Sequence, residues 1–559
     1  MRHLTGAFAL CAFLAACGGG GGSSGSNGTP APSPAPTPAP APGAGASTVS
    51  GKITYDHVPI TLTGNQPRLN YGGTIQRPVR SVVVEAVDAG SQAILATGNT
   101  NTNGDYTLSL PSGRSVFIRA KAKMVVSGSN AADISVIDNT SNGAQWALVG
   151  ATFTSTAGAT TQNLNAPSGW TGSGYDNTRR SAGPFAIIDT IYQATQKIIS
   201  VDSTVSFPKL NINWSPNNIT ASGNLALGQI GTSFFTGISG GSSVRQIYIL
   251  GAANNDTDEY DDHVVAHEFG HYLQDVFSRD DTISGPHGGN DDRLDMRVAF
   301  SEGWGNAWSA IALANPIYSD TSGAGQATGD SFDVRVGESS NAGWFKESSV
   351  ERVFWDLSNT AAVGFGPVWN TMKTGLKTSP ALTSIHAFAR ALVTSAPGTS
   401  GAVQTVLGNP NIAIALPTSP YAENETNFGN PVIANLSPIY MTYSGLGSNL
   451  ANICVGTAAD PTLAGNKAGS FRYIRLPALQ GGSRTFTLTR TSSTTANSDP
   501  DFVLYDSQGF RLDASSAINN SETATTTLST GDYVLAVTDF NQFVSSGRNS
   551  SACFTLTVR

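Results

Sequence analysis

The stretch DDHVVAHEFGHYLQ, residues 261–274, carries two histidines four positions apart with a glutamate directly after the first. On a helix, positions four apart lie on one face, so the imidazoles of His267 and His271 can reach a single ion. Tetrahedral zinc accepts neutral imidazole nitrogens, and Glu268 is then placed to act on a zinc-bound water. The stretch therefore predicts a zinc hydrolase centre.

The flanks of the motif predict that it is helical. Acidic residues suited to the positive end of a helix precede it: Asp256, Asp258, Asp261 and Asp262. Apolar residues then recur mostly three or four positions apart: Val264, Val265, Phe269, Tyr272, Leu273 and Val276. Residues 246–250, QIYIL, are typical of a buried strand. Two hydrogen-bonded core histidines are the alternative, but the strand and helix context favours a metal site.

A catalytic zinc usually has three protein ligands, so a third is expected after His271. The next candidate lies in RVAFSEGWGNAW, residues 297–308. Ser301 is predicted to precede a helix that runs through Ala314. Glu302 would then lie at the start of that helix and direct its carboxylate at the ion.

These two motifs resemble the gluzincin metallopeptidases, which take two His from H-E-x-x-H and a Glu from a later helix. The triplet EGW at 302–304 is especially similar to the fungalysin and thermolysin-like branches. The resemblance implies an α+β zincin-like catalytic domain over residues 181–435. It implies that Glu268 is the general base and that the zinc ligands are His267, His271 and Glu302.

The chain departs from the thermolysin-like pattern at two points. Those enzymes place an Asp four residues after the ligand Glu, where this chain has Asn306, an amide that can still accept the histidine N–H but supplies less negative charge. They also have a Tyr before that Glu, whereas residues 273–301 contain none. The alternative donors to a developing oxyanion remain open: His287, His386, Arg293, Arg297 and Arg352.

The first residues read as a targeting segment. Residues 1–3 form a positive head, and the apolar run 4–16 is too short to span a bilayer as an anchor. The run ends in LAAC, which resembles a bacterial lipobox and implies cleavage before Cys17 and lipidation there. An ordinary signal peptide is the alternative. Residues 18–47 are Gly-rich and then Ala-Pro-rich, which predicts a flexible and then extended spacer.

Two β-sandwiches are predicted on either side of the catalytic region. Residues 48–124 resemble the transthyretin-like, carboxypeptidase-regulatory type of domain, with TNTNGDYTLSLPSG at 100–113 as the most telling phrase. Residues 125–180 are a connecting region of unclear organisation. Residues 443–559 resemble the pre-peptidase C-terminal domain. The expected fold class is thus multidomain: an N-terminal β-sandwich, an α+β zincin-like domain and a C-terminal β-sandwich.

Cysteine usage agrees with an exported protein. If the lipobox resemblance holds, Cys11 is removed with the signal and Cys17 is lipidated, which leaves Cys454 and Cys553 at the two ends of the last predicted domain. Export makes a disulfide between them the expected state, with buried thiols as the alternative.

Composition narrows the remaining partners. The chain has 559 residues, only 13% of them charged, and a net charge of −8, which argues against nucleic-acid binding. Clustered carboxylates between the site helix and Glu302 are candidates for Ca²⁺, although a solvated loop is the simpler interpretation. They are Asp280, Asp281, Asp291, Asp292 and Asp295.

The sequence as a whole predicts a zinc-dependent endopeptidase that acts on protein or peptide substrates. It is expected in the bacterial cell envelope as a lipoprotein of the outer membrane, facing the periplasm or the surface, because Gly18 follows Cys17; secretion is the alternative. Two other functions stay open. One is a glycoprotein-directed or other amide-cleaving zinc hydrolase, and the other is a surface binding or adhesion protein with an inert zinc centre.

Overall fold

The computed structural model describes residues 46–238, 244–288, 293–337, 341–426, 433–456, 465–496, 498–507, 509–515, 519–543 and 550–559, without the side chains of residues 434 and 513–515. The predicted signal peptide with Cys17, residues 18–45 of the predicted spacer, and Asp291 and Asp292 lie outside these ranges.

The amino-terminal part of the described chain is built from strands. They are β1 (Ala46–His57), β2 (Ile60–Thr63), β3 (Gln66–Leu69), β4 (Ile75–Pro78), β5 (Val82–Asp88), β6 (Ile94–Asn99), β7 (Asp105–Pro111), β8 (Ser115–Val126), β9 (Ala132–Asp138), β10 (Ala144–Gln145), β11 (Ala147–Val149), β12 (Phe153–Thr154), β13 (Gly158–Thr161) and β14 (Leu164–Ala166). In β8, alternate residues from Val116 to Met124 are buried, as expected for a strand with one face on the core. The long strand β1 pairs with β4, β7, β13 and β14.

Helices dominate the central part. Its elements are α1 (Ala182–Ile199), β15 (Phe207–Trp214), β16 (Phe234–Thr236), β17 (Arg245–Ile249), β18 (Gly251–Ala252), β19 (Asp256–Thr257), α2 (Asp262–Phe277), α3 (Met296–Leu313), β20 (Ile317–Ser322), β21 (Thr328–Asp333), α4 (Glu347–Asn359), α5 (Phe365–Asn370), α6 (Ile385–Ser395) and α7 (Ser400–Leu407). A π-helical turn, Thr371–Leu376, continues α5. Helix α2 packs against α1 and α3, and α4 packs on α3.

One large mixed sheet joins these two parts. Its strand order is β16-β17-β15-β9-β8-β5-β6, and β9 pairs with β15 in parallel from Ile134↔Leu210 to Ile137↔Asn213. The divisions predicted near residues 124 and 180 therefore do not coincide with a break in the sheet. The connecting region supplies β9, whose backbone groups pair on one side with β8 and on the other with β15.

The carboxy-terminal part is again built from strands. They are β22 (Tyr440–Thr442), β23 (Asn449–Val455), β24 (Phe471–Leu479), β25 (Gly482–Ser493), β26 (Pro500–Tyr505), β27 (Arg511–Ser515), β28 (Ser521–Leu528), β29 (Gly531–Asp539) and β30 (Ala552–Val558). They form two sheets, β22-β24-β29-β26-β27 and β23-β30-β25-β28, with a hydrophobic core of their own that includes Phe486, Phe502 and Phe554.

The predicted disulfide is confirmed. Cys454 and Cys553 are directly opposite each other on β23 and β30, and their sulfur atoms are bonded. Such a bond is compatible with a location outside the cytoplasm. The architecture is thus multidomain and rich in β-sheet, with helices concentrated in the centre. Of the helices within the described ranges, none combines the length and the apolar character needed to cross a membrane.

Candidate metal centre

The two helices that carry the sequence motifs are antiparallel neighbours in the core. The motif of residues 267–271 lies in the middle of α2, as its periodicity predicted. The prediction that Ser301 precedes the second helix is wrong, because α3 begins at Met296. Asp295 caps that helix by accepting a hydrogen bond from the Arg297 amide at 3.1 Å. Glu302 consequently lies in the second turn of α3 rather than at its start.

Glycines allow α2 and α3 to approach each other closely. A Cβ atom added to Gly270 would lie 3.0 Å from Trp308 Cδ1 and 3.2 Å from the Cα of Gly305. A Cβ atom added to Gly305 would lie 2.7 Å from Cε1 of His267. A Cβ atom at either position would force its neighbours to move, and the close approach of the two helices brings the Glu302 carboxylate near the two histidines.

The side chains of His267, His271 and Glu302 converge on one point. The Nε2 atoms of the two imidazoles are 3.0 Å apart. Glu302 Oε2 lies 3.3 Å from His267 Nε2 and 3.4 Å from His271 Nε2. Each residue offers one ligand atom to the same space, and His267 and Glu302 are each only 7% exposed.

Hydrogen bonds fix the tautomer of His267. Its Nδ1 lies 2.7 Å from Oδ1 of Asn306. The Asn306 amide nitrogen donates to Glu347 at 2.6 Å and to Glu351 at 3.1 Å, so the Asn306 oxygen must face the histidine. A carbonyl oxygen only accepts, so Nδ1 of His267 carries the proton and the lone pair of Nε2 points into the centre.

The same argument fixes His271. Its Nδ1 lies 3.1 Å from Oγ of Ser301, and that hydroxyl donates to Oε1 of Gln274 at 3.1 Å. The Gln274 amide nitrogen donates to the Arg279 carbonyl at 3.2 Å, which sets the orientation of the amide. Ser301 therefore accepts from His271 Nδ1, and the second Nε2 lone pair also faces inward.

This donor set fits a zinc ion. The two Nε2 atoms and the carboxylate oxygen lie 3.0–3.4 Å apart, and a metal cation or a proton on Nε2 is needed to stabilise this arrangement. Ligand bonds of about 2.0–2.1 Å in a tetrahedron place ligand atoms about 3.3 Å apart. The observed separations of 3.0, 3.3 and 3.4 Å match that spacing.

The electrostatics also call for positive charge at this point. Burial lowers the pKa of His271, but the Glu302 carboxylate outweighs it and raises that pKa to about 9. Burial raises the pKa of Glu268, which is 8% exposed, while the two neighbouring imidazoles lower it, and the net effect is a raised pKa. A raised pKa makes this carboxylate a stronger base than an ordinary glutamate, which suits proton transfer.

Of the alternative oxyanion donors, the structure brings His287 to the centre. Its Nε2 lies 3.5 Å from Glu302 Oε2, and its Nδ1 lies 3.1 Å from Glu347 Oε2. Burial lowers the pKa of His287, but Glu302 and Glu347 together raise it to about 10. The side chain is 35% exposed, so it borders the open side of the centre.

Three of the four other candidates make their contacts away from the centre, and these assignments are corrected. His386 is 1% exposed and its Nε2 lies 2.9 Å from Glu425. Arg352 lies on α4, pairs with Asp356 at 3.4 Å and donates to the Val336 carbonyl. Arg297 pairs with its own helix cap, and its guanidinium lies over aromatic rings of β24. In each case the side chain has a hydrogen-bond or ion-pair partner outside the centre.

The predicted calcium loop does not converge within the described residues. Asp281 pairs with Arg279 at 2.6 Å and accepts from the Thr383 amide at 2.8 Å. Asp295 caps α3 and pairs with Arg297 at 2.9 Å. These carboxylates have separate partners because each one fastens a different segment.

Sequence analysis missed several residues of the centre. Ser301 was read as a helix cap, whereas its hydroxyl orients His271. Glu347 and Glu351, one turn apart on α4, hold Asn306, and their i,i+4 spacing was a signal that went unused. Tyr318 of β20 lies with its ring centroid 6.3 Å from that of His267 and stacks on Phe332 at 4.7 Å.

Comparisons with known proteins define no family. No family model and no curated protein matches the chain. The pre-peptidase C-terminal domain of a Bacillus anthracis collagenase is similar over 22% of this chain and 94% of its own, at 11% identity and a TM-score of 0.16. The lysozyme inhibitor PliG of Aeromonas hydrophila is similar over 21% of this chain and 93% of its own, at 15% identity and a TM-score of 0.15. A 9R-lipoxygenase from Cyanothece is similar over 28% of this chain and 24% of its own, at 9% identity and a TM-score of 0.13. Similarity at this level assigns neither a fold nor a function.

Proposed function

We propose that the chain is a zinc-dependent endopeptidase of the gluzincin type. His267, His271 and Glu302 hold the metal, and Glu268 is the general base. The observation that carries the proposal is the orientation of the two imidazoles: partners on Nδ1 leave both Nε2 lone pairs directed at the same point as Glu302 Oε2.

The roles of the side chains follow from their positions. Zinc bound at this centre supplies Lewis-acid polarisation of a water molecule and of the scissile carbonyl. Glu268 takes the proton from the attacking water and returns it to the leaving amine. His287 donates its Nε2–H to the developing oxyanion, since Glu347 accepts from its Nδ1 and keeps the ring protonated.

The proposal includes export and anchoring. Lipidation of Cys17 would attach the protein to the bacterial outer membrane, with residues 18–47 as spacer. The disulfide supports an oxidising compartment. The strand-rich regions before and after the helical centre would act as appended transthyretin-like and pre-peptidase C-terminal-like modules and contribute no catalytic residue.

The test is Glu268→Gln, which keeps the shape of the side chain and removes its basicity. We expect zinc content and thermal stability to match the wild type, whereas hydrolysis of an unfolded protein such as casein falls by about 10²–10⁴-fold. The matched control is Glu423→Gln, the same change at a residue that pairs with Arg475 in the last part of the chain. It should keep full activity.

Activity retained in Glu268→Gln would remove the general-base assignment. A second arm compares plain and glycosylated forms of one substrate, because cleavage of the glycosylated form alone would favour a glycoprotein-directed hydrolase. A zinc-loaded wild type that cleaves neither form would contradict the peptidase proposal and favour a binding protein with an inert centre.

A further inference from the structure

A short segment of the carboxy-terminal part, residues 466–468, lies against the start of α3. Its backbone is antiparallel to the stretch that leads into that helix. The Asp295 amide donates to the Asn466 carbonyl at 2.9 Å, and the Ala468 amide donates to the Arg293 carbonyl at 2.7 Å. The segment is therefore fastened by its main chain to the helical centre, just before β24 begins.

Two side chains of this segment hold the loop that leads to His287. Nζ of Lys467 donates to the Pro286 carbonyl at 2.6 Å, and Nδ2 of Asn466 donates to the same oxygen at 3.0 Å. A carbonyl oxygen has two lone pairs, so these two donors saturate it. Asn466 is 4% exposed and Lys467 is fully buried, so both bonds are shielded from bulk water.

These bonds act on His287 through the covalent geometry of the chain. The Pro286 carbonyl and the His287 amide belong to one planar peptide unit, so fixing the oxygen fixes the direction in which the His287 main chain begins. The pyrrolidine ring restricts φ of Pro286 itself. At Gly285 φ is +108°, which residues with a side chain rarely adopt, and an added Cβ atom would lie 2.8 Å from Nδ2 of Asn466. The loop is thus fitted closely to the segment that holds it.

The His287 imidazole needs this support because its own contacts are few. Its Nδ1 lies 3.1 Å from Glu347 Oε2, its Nε2 lies 3.5 Å from Glu302 Oε2, and the side chain is 35% exposed. The contact with Glu347 orients the ring but leaves the position of the main chain to other groups. A donor to a developing oxyanion must be in place before the reaction, and a displacement of about 1 Å can cost about 10²-fold in rate.

We infer that Lys467, together with Asn466, is a positioning residue for the reaction. Its ammonium group holds the main chain at Pro286, so that the His287 imidazole stays at the border of the zinc centre. The inference rests on the proposed function, in which His287 donates to the oxyanion. The carboxy-terminal part is then a component of the catalytic unit, because two of its side chains determine where a reacting group lies.

The test is Lys467→Met in the whole, zinc-loaded chain, alone and combined with His287→Ala. Methionine keeps an unbranched apolar side chain and removes the donor, while the main-chain bonds of the segment to residues 293 and 295 stay in place. We expect kcat on casein to fall by about 10–100-fold, with KM and zinc content unchanged. In the His287→Ala background the same substitution should change kcat by less than about twofold, because a residue that acts through His287 then has nothing to position.

The matched control is Arg472→Met. Arg472 is also a buried cation of the carboxy-terminal part, and it donates to the carbonyls of Leu436 and Pro438 at 2.7 and 3.2 Å. A general loss of stability would affect both variants, whereas kcat should fall only in Lys467→Met. Asn466→Ala removes the other donor and replaces Lys467→Met if that variant does not fold; it should lower kcat in the same way but by a smaller factor.

Nuclear magnetic resonance of isotope-labelled histidine gives a readout that does not depend on activity. The ring signal of His287, identified by its loss in His287→Ala, should move towards that of a solvent-exposed histidine in Lys467→Met and stay unchanged in Arg472→Met. The inference is overturned if Lys467→Met keeps both the wild-type kcat and the wild-type His287 signal. It is also overturned if Lys467→Met lowers kcat by the same factor with and without His287. A wild type that hydrolyses no protein substrate would instead refute the proposed function, and the catalytic role of Lys467 with it.

Discussion

Replacing Gly305 by alanine should weaken zinc binding while the fold stays intact. Gly305 lies on α3 and faces the imidazole of His267 across the helix crossing. A methyl group there would meet Cε1, Nδ1 and Nε2 of that ring at 2.7, 2.8 and 2.9 Å. Three nearly equal distances place the methyl over the face of the ring, so the substitution pushes a proposed ligand sideways out of position.

The size of the effect follows from these distances. The shortest contact is 0.7 Å below the 3.4 Å at which ordinary van der Waals contact begins. The ring has little freedom to retreat, because Asn306 holds its Nδ1 at 2.7 Å. Metal–ligand distances tolerate only about 0.2 Å of change. We therefore expect a 10–100-fold loss of zinc affinity, the range seen when groups that orient a ligand are altered. This loss is about 1.4–2.7 kcal/mol.

The assay is competition for zinc against a chromogenic chelator at fixed pH, with thermal unfolding measured in parallel. Alanine gains about 0.8–1.0 kcal/mol of helix propensity over glycine, which offsets part of the clash, so the Tm should change little. Gly401→Ala is the matched control, since it makes the same change on exposed helix α7 with no atom within 4 Å of the new methyl. Equal zinc affinity for the two variants and the wild type would refute the proposed role of His267.

Three further outcomes are expected. His287→Ala should lower kcat by about 10²–10³-fold with zinc content unchanged; loss of zinc instead would make His287 a fourth ligand. Asn306→Asp should cost about 2–3 kcal/mol in thermal unfolding, because it replaces a donor to Glu347 by a carboxylate 2.6 Å from another; unchanged stability would contradict this network. Burial, then Asp256, raises the pKa of Asp320 to about 8, far above its ordinary value. A carboxyl group whose pKa is raised in the folded state stabilises at low pH, so the free energy of unfolding of the protein should fall as pH rises from about 4 to about 8. The curve of Asp320→Asn should be flatter, and parallel curves would refute the assignment.

Local patterns in the sequence explain how much of the centre could be predicted. The spacing of His267 and His271 is a property of a single helix, and so is the four-residue step from Glu302 to Asn306. Such spacing is visible in the sequence because the helical backbone places residues four positions apart on the same face. The start of α3 was predicted wrongly because Ser301 has the composition of a cap, while the actual cap, Asp295, was assigned to a calcium loop.

Long-range pairing left no comparable signal. The parallel pairing of β9 with β15 joins segments separated by the whole of α1. The acidic residues before the motif were attributed to the helix end, which explains Asp261 and Asp262 but not Asp256 and Asp258. Their partner Asp320 lies beyond α3, and only the folded sheet brings it near. Contacts of this kind depend on tertiary packing, and they leave no periodic pattern in a single sequence.

The amide at position 306 illustrates why the departure from the thermolysin-like pattern does not leave the proposed centre short of negative charge. An aspartate there would accept from His267 directly but would lie against two more carboxylates. Asn306 accepts from His267 with its oxygen and donates to Glu347 and Glu351 with its nitrogen, so both requirements are met by one side chain. The two carboxylates polarise the amide, and the polarised oxygen in turn strengthens the bond to Nδ1. The carboxylates of Glu347 and Glu351 on α4 thus act on the His267 imidazole of α2 through the Asn306 amide of α3.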